Sequence, residues 1–174
     1  MKKSINPIKM YDGVVLRLVP HEPDNGYRFY VSDDGTVGVR ISPNGVETIV
    51  KGTPTTCENC ANPTNAKREQ RYLQFKDAFG HHKHILVSHA VYLAWVGPFD
   101  DPCIDHLNGI TTNNHWTNLE PVTYAENSRR AMYLRVLREC GFDPRIFTAS
   151  QLREFFVQPF DEFKTAMYHH KNDE

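Results

Sequence analysis

The chain of 174 residues has no long apolar run, few cysteines and no excess of either charge. None of its apolar stretches approaches the roughly 20 residues that cross a bilayer, which excludes a helical membrane protein. The opening Met1-Lys2-Lys3-Ser4-Ile5-Asn6-Pro7 lacks the apolar stretch of a signal peptide, so a cytoplasmic, reducing compartment and no membrane partner are expected. Four cysteines are too few for a disulfide scaffold of this length, and ten glycines with eleven prolines exclude collagenous or low-complexity classes. What remains is an ordinary globular composition, 40% hydrophobic and 24% charged, large enough to bury a core.

A net charge of −1 at first argues against a polyanionic partner. The charges are unevenly placed, however. Residues 64–90 carry five basic and two acidic side chains and residues 125–140 carry four and two, whereas residues 91–124 carry four acidic and no basic ones. Two basic stretches flanking an acidic one suit a phosphate-binding surface around metal-binding carboxylates. The last segment, 141–174, is net acidic, with four basic and six acidic side chains.

The pattern of side chains predicts an α+β fold. Val14 to Val19 reads as a strand, and Tyr27 to Ile41, with an Asp33-Asp34-Gly35 turn, as a β-hairpin. A second hairpin is expected from Arg71–Lys76 and Lys83–Val87, and residues 51–67 between the two pairs read as a loop. Helices are expected over 88–96, with Ser88 as a cap, and after Thr123-Tyr124-Ala125-Glu126, which has the S/T-x-x-E form of a capping box. Met132, Val136 and Leu137 would form the apolar side of that helix and Gly141 its end. Two further helices, about 149–157 and 159–170, would bury Phe147, Leu152, Phe155, Phe156, Phe160, Phe163 and Met167, with Ser150 and Pro159 at their starts.

The chemistry-bearing segment runs from Ile104-Asp105-His106 through the polar Asn113-Asn114 loop and Asn118-Leu119 to Glu126-Asn127. It reads as strand, loop, strand and capped helix. Asp and Asn oxygens are hard donors suited to Mg²⁺ or Mn²⁺, and a neighbouring imidazole is suited to take a proton from an attacking water. Asn113 and Asn114 themselves have the character of turn residues that bond their own backbone.

With Ser88-His89, this set resembles the HNH nucleases of ββα-metal (His-Me finger) fold, specifically the homing-endonuclease-like branch of phages and mobile introns. The resemblance implies that His106 is the general base, that Asp105 and Asn127 hold the divalent ion, and that Asn118 braces the loop and orients the base. It implies a metal-dependent DNA endonuclease acting on double-stranded DNA. The alternative is a catalytically inactive DNA-binding protein on the same scaffold. Asn127 stands where many relatives have His, a variant that occurs in the homing branch. The stretch Tyr27 to Val37 is similar to a small module that often precedes such domains. Ala90 and His115-Trp116 stand where basic residues are usual, so no phosphate contact is expected of them.

Lys83, His89, Arg129 and Arg130 are candidate DNA contacts, a packed histidine and a solvated helix face being the plain alternatives. Cys57-x-x-Cys60 has the spacing of half a structural zinc site, but a zinc ribbon repeats the pair and Cys103 and Cys140 stand singly, so free thiols are expected. The organisation expected is a β-rich N-terminal module and loop over 1–66, an HNH nuclease domain over 67–140 and a helical extension over 141–174.

Overall fold

A computed structural model describes residues 7–20, 26–50, 53–55, 70–76 and 82–172. The fold is α+β, with an antiparallel N-terminal sheet and C-terminal helices. It divides into two compact units, one of residues 1–99 with 111–116 and the other of residues 100–110 with 117–174. The division runs through the span expected to be a single nuclease domain.

The first unit holds two sheets and a helix. Strands β1 (Ile8–Tyr11), β2 (Val14–Leu18), β3 (Arg28–Val31), β4 (Gly38–Ile41) and β5 (Glu47–Val50) form a five-stranded antiparallel sheet in sequence order. Strand β2 and the β3–β4 hairpin are those expected from the sequence, whereas β1 and β5 are not. Asp12 and Gly13, both at positive φ, make the two-residue turn that lets Ile8–Tyr11 fold back on Val14–Arg17. The sheet curls far enough for its two edge strands to meet, Lys9 Nζ donating to Glu47 Oε1 at 2.6 Å. Leu16, Tyr30, Val39 and Ile41 form its buried apolar cluster.

Strands β6 (Thr53–Thr55), β7 (Gln70–Lys76) and β8 (His82–Leu86) form the second sheet. Part of the expected loop over 51–67 is thus the edge strand β6, which Pro54 tolerates because an edge needs only one partner. Helix α1 (Val87–Trp95) follows β8 directly and packs on β2, β3, β7 and β8. Ser88 does not cap it. Leu86 occupies the cap position without a side-chain bond, and Ser88 is buried in the first turn.

The hairpin turn at 33–36 is held by Asp34, whose Oδ1 accepts from Ser32 Oγ, Thr36 N and Thr36 Oγ1 at 2.7 to 2.9 Å. Gly35 has φ +72°, and a Cβ there would run into Val87 Cγ1 and stand 3.1 Å from Val91 Cγ2 of α1. The turn therefore seats on α1 only because this position carries no side chain.

The second unit opens with a two-stranded antiparallel hairpin, β9 (Cys103–His106) and β10 (Leu119–Val122), and continues into α2 (Tyr124–Glu139), α3 (Ala149–Val157) and α4 (Phe160–Asn172). Thr123 caps α2 as expected, accepting from Glu126 N at 3.1 Å. The cap of α3 is Thr148 rather than Ser150, in a reciprocal box with Gln151. The buried face of α2 is Tyr133, Leu134, Val136 and Leu137, whereas Met132 is 40% exposed. Val136 and Leu137 lie on that face as expected, and Met132 does not. Leu107 joins this core with Leu152, Phe156 and Phe163, and Phe147, Phe155, Phe160 and Met167 pack around it, as the helical spacing predicted. Tyr133 is its centre, in ring contact with Phe156, Phe160 and Phe163 at centroid distances of 5.8, 5.1 and 5.0 Å.

Gly35→Ala combines a left-handed backbone with overpacking against α1 and is expected to lose about 3 kcal/mol. Gly45→Ala, also at positive φ but with open space around it, is expected to lose about 1 kcal/mol. Urea denaturation of the two variants checks this, and equal losses would contradict the seating of the turn on α1.

Candidate functional site

Antiparallel pairing sets Asp105 opposite Glu120 and His106 opposite Leu119. Directly opposed residues share a face of the hairpin, and neighbours in sequence alternate, so within the strand Asp105 and Glu120 share one side and His106 and Leu119 the other. His106 is the last residue of β9, where the ladder gives way to a turn, and it is half-buried. Its carbonyl accepts from Gly109 N at 2.6 Å.

The turn after His106 is built on asparagine. Asn118 Oδ1 accepts from Asn108 N at 3.2 Å, and Asn118 Nδ2 donates to Asn108 Oδ1 at 3.1 Å, a reciprocal pair between residues 8% and 7% exposed. Leu107 N donates to Asn118 O at 2.9 Å, and Asn108 Oδ1 also accepts from Ile110 N at 3.0 Å. Asn118 thus fixes the backbone of residues 107 and 108. Asn113 and Asn114 bond locally as expected of turn residues, Asn113 Oδ1 accepting from His115 N and Asn114 Nδ2 donating to Thr112 O.

On the other side of the hairpin, Asp105 is buried and faces Arg130 of α2, whose Nη1 stands 3.5 Å from Asp105 Oδ2. Burial pushes the Asp105 carboxyl above the usual carboxylate range, opposed by the charge and hydrogen bond of Arg130 and by the His106 backbone N–H. Arg130 also binds Glu120 through Nη1 and Glu126 Oε1 through Nε, the latter at 2.8 Å. Its side chain is only 12% exposed. The capping box expected at Thr123 is therefore half made. The Glu126 carboxylate turns to the arginines, with Arg129 forking onto both its oxygens at 2.8 Å, and that hydrogen bonding above all holds Glu126 down at about 2.

Asn127 lies in the first turns of α2, half-buried, its N–H donating to Thr123 O at 2.9 Å. It stands three residues before Arg130, and residues at that spacing are neighbours on one helix face. Arg129 is more open, 41% exposed, and its guanidinium also bonds the Tyr133 hydroxyl at 3.0 Å. In the first unit, His89 is half-buried and edge-on to Phe99 at 5.4 Å. Lys83 belongs to β8, but its side chain lies outside the described part. Cys57 and Cys60 lie outside the described residues. Cys103 donates its S–H to Val122 O at 3.1 Å, and Cys140 is buried in the helical core.

Asn108 and Glu120 are not among the side chains singled out from sequence, and Glu126 is singled out there as a capping residue rather than as a partner of arginines. The Glu126-x-x-Arg129-Arg130 spacing is a helix ion-pair signal by which the pairing of Glu126 with the arginines could have been found. Glu120 joins the site only through strand register, and Asn108 only through the turn.

A two-stranded antiparallel hairpin with a tightly braced turn, followed at once by a helix joined to it through a buried arginine, defines an α+β site unit. Residues 82–129, from β8 into the second turn of α2, match the family model described as HNH endonuclease. The matched segment includes Asp105, His106, Asn118 and Asn127 and covers just over a quarter of the chain. No curated protein and no solved structure matches the chain. Among the described residues no helix is long and apolar enough to cross a membrane.

Asn118→Ala removes both halves of the amide pair and leaves the Asn108 N–H and carboxamide without that partner. It is expected to cost about 2–3 kcal/mol in chemical denaturation. A variant as stable as the wild type would contradict the bracing of the turn.

Proposed function

We propose that the chain is a metal-dependent DNA endonuclease of the homing-endonuclease-like HNH kind, with a ββα-metal site built from β9, β10 and the start of α2. The observation that carries this reading is the ion pair between Asp105, in the segment of HNH type, and Arg130, one residue beyond it. It sets Asp105 against the face of α2 to which Asn127 belongs.

In this reading Asp105 and Asn127 hold the ion. Their hard oxygens fit Mg²⁺ or Mn²⁺, and Asp105 is a buried carboxylate whose nearest cation, Arg130, stands farther off than the 2.7–2.9 Å or so of a tight charge-assisted bond. Among the described residues no group of three or more His, Cys, Asp or Glu is gathered for a metal. A divalent ion bound there supplies Lewis-acid stabilisation of charge on the scissile phosphate and the 3′ leaving oxygen. His106 takes the proton of the attacking water, as imidazole is suited to do near neutral pH. Asn118 acts through the backbone it braces, holding the turn that begins at His106. Arg129, Lys83 and His89 are the proposed contacts to DNA phosphates. Arg130, engaged by three carboxylates, is better suited to a role inside the site.

Incubation of supercoiled plasmid with Mg²⁺ or Mn²⁺ tests the reading. Wild type is expected to cleave, and His106→Ala and Asp105→Ala to lose at least a hundredfold in rate while still binding DNA. Cleavage at the wild-type rate by both variants would overturn the assignment. DNA binding by wild type with no turnover under either metal would favour the non-cleaving scaffold instead.

A further inference from the structure

Arg130 lies one residue beyond the segment that matches the HNH family, yet it joins three elements of the second unit. Its guanidinium reaches Asp105 on β9, Glu120 on β10 and Glu126 on α2, and its Cζ stands 5.1 Å from the Phe156 ring centroid on α3. The three carboxylates are not held alike. Glu120 is shared with Arg153, whose Nε stands 3.2 Å from Oε1, and Glu126 is shared with the fork of Arg129. Asp105 stands at 3.5 Å from Arg130, long for a bond between full charges. Two carboxylates therefore anchor the guanidinium, and the guanidinium in turn faces the third at a distance that orients it without capturing it.

Register makes such a cation necessary. Asp105 and Glu120 are directly opposed across the β9–β10 ladder, and like charges so placed repel. A planar fork with five donors can serve three carboxylates from one position, which an ammonium cannot do.

We propose that Arg130 is a positioning residue: anchored by Glu120 and Glu126, its guanidinium sets where the Asp105 carboxylate stands, and so the geometry in which Asp105 meets the divalent ion. This rests on the reading of Asp105 as an ion ligand. It separates ion affinity from turnover. Arg130 adds positive charge beside the ligand, so it does not itself strengthen cation binding, but misplacing Asp105 disturbs the alignment that cleavage requires.

The test compares wild type, Arg130→Lys, Arg130→Met, Glu120→Gln and Asp105→Ala by two measurements, Mn²⁺ binding followed by EPR of the free ion and plasmid cleavage, with circular dichroism to establish folding. Arg130→Lys keeps the charge and loses the fork; it is expected to bind Mn²⁺ within about threefold of wild type and to cleave at least tenfold more slowly. Glu120→Gln, which loosens one anchor, is expected to show the same split at several-fold. Arg130→Met, if folded, is expected to bind Mn²⁺ at least as tightly as wild type and to cleave no faster than the lysine variant. Wild-type cleavage by Arg130→Lys, or a proportional loss of binding and cleavage in both Arg130→Lys and Glu120→Gln, would overturn the positioning role. Undiminished Mn²⁺ binding and cleavage by Asp105→Ala would instead overturn the underlying reading of the site.

Discussion

A guanidinium taken out of water must be matched by negative charge and hydrogen bonds, because an unpaired buried cation costs several kcal/mol. Arg130 meets that demand with carboxylates from β9, β10 and α2, and the requirement ties the three elements to one another. The hairpin contributes two opposed carboxylates that would repel without a cation between them, and the helix contributes both the cation and its third partner. Arg153 and Arg129 extend the network outward through Glu120 and Glu126. An ion network of this kind is weak evidence for net stability, since apolar packing of the same volume can do as well. Its consequence here is geometric: it fixes which side of the hairpin meets the start of α2.

Two other features hold the second unit around this network. The Asn118–Asn108 amide pair locks the turn at the end of β9, so that His106 ends its strand against a backbone with little freedom. Behind it, Leu107 runs from the same turn into the aromatic core of α2, α3 and α4, where Tyr133 donates its hydroxyl to Gln158 O at 2.6 Å. The proposed catalytic residues thus stand on a short hairpin whose rigidity comes from what surrounds it. Two strands alone are marginal in water.

Much of this was legible from the sequence, and the failures have physical reasons. Helices α2, α3 and α4 announced themselves by aromatic spacing and by Thr123 and Gly141, because amphipathic periodicity over many residues is a strong signal. The capping residues were harder. Ser88 and Ser150 look like caps locally, but α1 begins straight from a strand at Leu86, and Thr148, two residues before Ser150, has Gln151 in reach for a reciprocal box. Strand β1 was missed although Asp12-Gly13 is a strong hairpin dipeptide, since four residues carry little periodicity of their own. In the site, Asp105, His106, Asn118 and Asn127 were visible as a spaced set, and the HNH family match falls on them. The roles of Asn108, Glu120 and Arg130 were not visible, because they depend on strand register and on a helix face meeting a hairpin, which no local pattern encodes. For that reason the sequence suggests a DNA contact at Arg130, whereas the structure engages it with three carboxylates.

Placing the site on Asp105, His106 and Asn127 is tested most directly by anomalous diffraction from crystals of the protein grown with Mn²⁺ and a short DNA duplex. A nuclease centre of the kind proposed predicts one Mn²⁺ peak bound by Asp105 and Asn127, with a phosphate oxygen of the duplex in its shell and His106 on the side of the attacking water. A Mn²⁺ ion bound elsewhere on the chain, with Asp105 still facing Arg130 and no phosphate near Asn127, would contradict it.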